Sequence, residues 1–186
     1  MPPRDLNPFP PGVRMLLGPV AAVAVALAAS PGAFAEDPVA PAPATRPGEQ
    51  PVDPYTASNA NAGAAPRQDA SVFKGFHGQA GIQRVSDSLV DRAAADPRIA
   101  EIFRNQDLVR LKRTLAEQFC YLLDGPCAYS GRDMKTAHKD LGVQDADFNA
   151  LVEDLQWAMN REGVTFRAQN KLLAKLAPMR RDVVQR

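Results

Sequence analysis

Few residues in this chain could carry chemistry. Among 186 residues there are two histidines and two cysteines. One histidine stands in the stretch Asp133-Met-Lys-Thr-Ala-His-Lys-Asp-Leu-Gly-Val143, where His138 falls in the last turn of a short helical pattern behind a turn-rich loop. An imidazole there can be a core residue, a helix-end cation, a proton carrier or a metal ligand, and the residue alone does not choose. His77, in Phe-His-Gly, reads as a surface residue at a helix start. Cys120 ends an apolar stripe, and Cys127 lies in the loop beyond Gly125-Pro126. Two readings stand for this pair: a small core hydrophobe plus a loop thiol, or a disulfide across the turn in an oxidising compartment. Two thiols make a poor structural zinc site. The sequence holds no glycine-rich phosphate loop, HExxH, paired CxxC, serine nucleophile motif or marked acid/base carboxylate pair.

The elements around His138 follow from apolar spacing. Ile82, Val85 and Leu89 step by three and four up to a break before Pro97. Leu108, Leu111, Leu115, Phe119 and Leu122 form the strongest stripe, stopped by Gly125-Pro126. Met134, Ala137, His138 and Leu141 share a short helix, with Gly142 as its cap. Phe148, Leu151, Val152, Leu155 and Met159 mark a fourth helix. Thr165 caps a fifth, which carries Leu172, Leu173, Leu176 and Val183 and bends near Pro178. Strand signals are absent. The expectation is a small all-α domain over residues 73–186, large enough for a real core but not a large one.

The front of the chain has a different composition. Arg4 and Arg14 precede the apolar run from Met15 to Ser30, which leads to Ala-Phe-Ala at 33–35. This is the pattern of a secretory signal over residues 1–35. The run is shorter than the roughly 18 to 20 residues of a membrane span and contains Pro19, so a cleaved signal is favoured over an anchor. An exported, periplasmic or secreted protein is expected, with no stable membrane span after cleavage. Residues 36–72 are rich in Pro and Ala, poor in branched apolar residues, and read as a disordered tether. Loss of Arg4, Arg14 and Asp5 with the signal takes the 22 basic and 21 acidic residues to 20 of each. A neutral chain gives no electrostatic case for nucleic acid.

Five segments in register resemble a group I truncated haemoglobin from Phe76 to Val184. They are Ala-Asp-Pro-Arg-Ile-Ala-Glu-Ile-Phe ending at Phe103, Arg110 to Cys120, Gly125 to His138, the run from Leu141 to Leu155, and Leu172 to Val184 with Arg-Glu-Gly-Val before it. The resemblance implies a shortened globin, with two helix pairs packed two-over-two around haem and iron held by His138 as proximal ligand. The free axial position would take a diatomic gas, and the second ring nitrogen would donate to a carbonyl or solvent. By the same resemblance Phe103 packs on the porphyrin and Lys112 meets a haem propionate. Phe103 also reads as plain core, and Lys112 equally as a solvated side chain. Leu111, Leu115 and Phe148 complete the cofactor-binding set.

The sequence departs from the family on the distal side. Many members place a tyrosine and a glutamine there as donors to bound oxygen. The corresponding positions hold Val90 and Leu115, with Leu111 also apolar. Gln118 stands one turn on, able in principle to reach inward, ahead of Thr114 and Tyr121 as donors. A donor contributes on the order of 1–3 kcal/mol, so its loss implies loose oxygen binding and comparatively good binding of uncharged ligands such as carbon monoxide. Oxygen, nitric oxide or carbon monoxide binding is the expected function, with an unidentified reductase for the iron. The alternatives are a haem enzyme (a nitric oxide dioxygenase or a peroxidase) and a haem-free helical interaction module.

Overall fold

The computed structural model describes residues 45–185. The expected signal and the first residues of the expected tether lie outside the described residues. From Ala70 onward the chain is helical: α1 (Ala70–Gly75), α2 (Gly78–Ala95), α3 (Ala100–Phe103), α4 (Leu108–Leu122), α5 (Met134–Ala137), α6 (Asp145–Arg161), α7 (Phe166–Leu176) and α8 (Arg180–Val183). No strand occurs among the described residues.

Side-chain caps fix where these helices begin. The carboxylates of Asp69, Asp107 and Asp133 accept backbone N–H bonds at the starts of α1, α4 and α5, satisfying donors that a helix start leaves free. Thr165 does the same for α7. A 3-10 turn at Ala177–Met179 makes the bend at Pro178 before α8. The short helix that carries the site is briefer than its apolar spacing suggests. After one turn, α5 ends with His138 as its cap residue, because Asp140 (φ 64°) and Gly142 (φ 67°) both enter the left-handed region.

The long helix α2 packs on both α4 and α6. Phe76, Ile82, Val85, Phe119, Met159 and Leu172 are completely or almost completely buried between α2, α4, α6 and α7. A second cluster beneath α5 joins Leu122, Tyr129, Met134, Met179 and Val183 to Ala62. The apolar stripe of α4 divides in two. Phe119 and Leu122 are sealed in these clusters, whereas Leu111 and Leu115 are half-buried and face a cavity.

Residues 45–69 correct the expectation of a free tether. They form a strap lying on α4 and on the loop that follows it. Glu49, with a side chain only 1% exposed, accepts from Arg113 Nε at 2.5 Å and stands 3.3 Å from Arg110 Nη2. Gln50 N–H donates to Asp107 Oδ2 at 2.7 Å, and Tyr55 Oη donates to the Ser130 carbonyl at 2.9 Å. A 3-10 turn at Asn59–Ala62 inserts the fully buried Ala62, and Arg67 N–H closes the strap on the Leu122 carbonyl at 2.9 Å. Poor apolar content does prevent a segment from building its own core. Here a neighbouring helix supplies the charged and polar partners instead.

Cys120 and Cys127 form a disulfide with a Cα–Cα distance of 5.8 Å, joining the end of α4 to the loop that leads to α5. A Cβ on Gly125 would meet Phe73 and the Cys120 sulfur at 2.5–2.6 Å, so the turn between the cysteines needs glycine. For so short a closed loop the chain-entropy cost removed from the unfolded state is about 2 kcal/mol. Replacing both cysteines by serine is expected to lower the unfolding free energy by about that amount, read from the urea midpoint together with the m-value.

Candidate haem pocket

A cavity of about 490 Å³ opens between α2, α3, α4, α6 and the α5 loop, and His138 is in its wall. Asp133 starts the single turn of α5, which ends at His138. The turn rests on Met134, part of the cluster that also holds Ala62 and Met179. His138 Nδ1 lies 2.7 Å from the Met134 carbonyl oxygen, and a carbonyl can only accept, so the proton is on Nδ1. Nε2 is then the bare lone pair. Burial lowers the imidazole pKa, opposed by the Met134 hydrogen bond, and the ring stays neutral where an exposed histidine begins to charge. A neutral imidazole with its tautomer fixed by a backbone carbonyl is what ligation of a metal centre requires.

The remaining wall is mostly apolar. Val90, Phe103, Leu111, Leu115, Phe148 and Gln118 all line the same cavity as His138. Its size falls within the range of cofactor pockets, and its lining suits the flat apolar face of a porphyrin. The residues present therefore fit haem.

Two expected residues are placed differently. Lys112 does not line the cavity. Its Nζ pairs with Asp91 Oδ1 at 2.6 Å. One residue beyond Leu111 on an α-helix is about 100° around the axis, which turns Lys112 from the cavity towards the outer side of α2. Gln118 is in the wall, but its amide is already committed. Nε2 donates to the Ala62 carbonyl at 2.9 Å, with the sulfurs of Met134 and Met179 also in reach at 3.3 and 3.8 Å. The two lesser donor candidates are occupied or elsewhere. Thr114 Oγ1 donates back within α4 to the Arg110 and Leu111 carbonyls at 3.0 and 3.3 Å, and Tyr121 is not in the wall.

His77 is exposed at the start of α2 with φ 61°, a conformation that glycine adopts more readily. Its Nε2 lies 3.1 Å from the Glu162 carbonyl, far in function from the cavity, which it does not line.

Composition concealed another part of the wall. Gln50, Pro51, Val52 and Tyr55 of the strap line the cavity together with Arg110 and Arg132. A lone tyrosine and an isolated glutamate in a Pro/Ala-rich stretch were the available signals, and neither has a periodicity to reveal its target.

The sequence profile of the bacterial-like globin family matches residues 71–185. A group 1 truncated haemoglobin of Tetrahymena thermophila is 28% identical over 99 residues, covering 53% of this chain and 82% of its own length. That of Nostoc commune is 26% identical over 117 residues, covering 63% and 99%. The solved structure of a truncated haemoglobin from Tetrahymena pyriformis superposes with a TM-score of 0.59 at 24% identity, over 62% of this chain and 98% of that one. A Synechococcus 2/2 haemoglobin gives 0.57 at 24% identity, over 62% and 98%. The strap precedes the matched region, so it is an addition to the shared fold. With the two-over-two helical architecture and the family match over most of its helical part, the chain belongs to the bacterial-like globins, within the group I truncated haemoglobins.

Proposed function

We propose that this globin binds haem through His138 Nε2 and takes a diatomic gas in an apolar distal pocket. The single observation that carries this is the hydrogen bond from His138 Nδ1 to the Met134 carbonyl at 2.7 Å, at the edge of a largely apolar cavity of porphyrin-compatible size. When bound, haem would supply an iron that His138 Nε2 would hold and that could take a gas.

The chain's own residues would do the rest. Met134 orients the imidazole, and burial keeps it uncharged. Phe103 and Phe148 pack on the cofactor from the α3 and α6 sides. Val90, Leu111 and Leu115 keep water away and offer no hydrogen bond. Gln118 holds the strap at Ala62 instead of the gas. A distal surface made by Val90, Leu111 and Leu115 and lacking a donor favours ligands that need none, and it works against the long-lived oxygen complex on which nitric oxide dioxygenation depends. Reversible gas binding, with release governed by the absent donor, is therefore favoured over catalysis.

Titration of the full chain with haemin tests this. One equivalent should produce a sharp Soret band with a distinct endpoint at one haem per chain. A folded helical protein that takes up no stoichiometric haem would leave only a helical interaction module.

Export belongs to the same proposal. Its support is the signal-like pattern of residues 1–35 together with the Cys120–Cys127 disulfide, a linkage that persists in oxidising compartments. Recovery of the chain from the producing cell's cytosol, uncleaved and with both thiols free, would overturn it. Among the described residues no helix is long and apolar enough to cross a membrane.

A further inference from the structure

We propose that Arg132 receives a haem propionate and that the strap holds it in place, making residues 45–69 part of the cofactor site. This rests on the haem reading above.

Three cationic side chains compete for that role. Lys112 pairs with Asp91 and lies outside the wall. Arg110 lines the cavity with its buried Nε and Nη1 unpartnered among the described residues, but two carboxylates already face its charge, Glu49 Oε2 at 3.3 Å, shared with Arg113, and Asp107 Oδ2 at 3.5 Å. Arg132 also lines the cavity, six residues before His138 in sequence, and no carboxylate stands within ion-pair distance of it among the described residues. The two acidic residues of the wall are engaged elsewhere. Asp107 accepts from the Arg110 and Gln50 backbone N–H groups, and Asp147 accepts from Gln144 N–H.

The strap fixes how Arg132 is presented. Arg132 Nη2 donates to the Asp53 carbonyl at 3.0 Å. The guanidinium carbon lies 5.0 Å from the centre of the Tyr55 ring, and Tyr55 is itself tied to the Ser130 carbonyl. Stacking on a ring uses the face of a guanidinium and leaves its edge donors available. A planar cation held in the wall of a mostly apolar cavity, with edge N–H groups uncommitted, matches a carboxylate in geometry and charge. Haem carries two such carboxylates. Because the strap precedes the family-matched residues 71–185, this part of the site is an addition made by this chain.

The test is haem loss from the full-length protein to excess apomyoglobin, comparing haemin with haemin dimethyl ester, which lacks the charge. Wild type should lose the ester about tenfold faster than haemin, the worth of one charge-assisted contact. Arg132→Met should lose haemin as fast as wild type loses the ester and should no longer distinguish the two. Lys112→Met should keep the wild-type discrimination. Tyr55→Ala should speed haemin loss in the same direction and add nothing in the Arg132→Met background. Full ester discrimination in Arg132→Met would overturn the proposal, as would equal loss of haemin and ester from wild type. Failure of wild type to take up haemin would sink the haem reading itself, a different result.

Discussion

Leu115→Gln is expected to slow oxygen release from the reduced, haem-loaded protein by about tenfold to a hundredfold. Leu115 faces the cavity from α4, and the pocket surfaces contributed by Val90, Leu111 and Leu115 carry no donor. A glutamine of similar volume introduces an amide N–H where a polarised gas can accept it. One such bond contributes about 1–3 kcal/mol, and each 1.4 kcal/mol is a factor of ten. Carbon monoxide, which gathers little charge, should respond far less. Gln118→Leu is the matching control. Its amide serves the Ala62 carbonyl, so its loss should lower stability and leave oxygen release unchanged. The measurement is stopped-flow oxygen dissociation. Slow release in wild type, unaltered by Leu115→Gln but accelerated by Gln118→Leu, would mean that Gln118 is the donor and the pocket is not apolar in function.

Glu49→Ala is expected to destabilise the fold by about 3 kcal/mol, a drop of roughly 10 °C in melting temperature for a domain of this size. The Glu49 carboxylate sits between Arg113 and Arg110, whose side chains are 11% and 12% exposed. Removing it leaves two largely buried guanidinium groups beside each other with only Asp107 and Glu117 as remaining carboxylate partners among the described residues, and breaking a buried pair costs far more than the pair contributes. Replacing Glu49 and Arg113 together by Leu and Met should recover much of the loss. The same group gives a pH signature. The Arg113 hydrogen bond, aided by the Arg46 backbone N–H and the charge of Arg110, lowers the Glu49 pKa against the opposing effect of burial. The stabilisation is then complete above the unfolded carboxylate value of about 4.3 and fades as pH falls through the lower folded value. Glu49→Ala should lose that part of the acid sensitivity.

The helical body was legible in sequence because its signals are periodic. The stripe from Leu108 to Leu122 predicts α4 and its two faces, and Thr165, Pro178 and Gly125-Pro126 mark real boundaries. His138 stood out because a chain with two histidines places one at the end of a helix beside that stripe. The strap was not legible, since its order comes from Glu49, Tyr55 and Ala62 reaching partners more than fifty residues away. Composition reports only whether a segment can bury itself. The sequence left Lys112 open between a propionate contact and a solvated side chain; neighbouring residues on a helix point about 100° apart, and next to the cavity-facing Leu111 it lies outside the wall and pairs with Asp91. Gln118 does lie in the wall, but periodicity cannot show that its donors are already spent.

His138→Gly is the most direct test of the account. The full-length variant, titrated with haemin and measured by absorption spectroscopy beside wild type, should lose the sharp Soret band, and added imidazole should restore it by filling the space left at Nε2. A His138→Gly protein that takes up haemin at one per chain with an unchanged wild-type spectrum, indifferent to imidazole, would show that His138 does not hold the iron and would contradict the account at its centre.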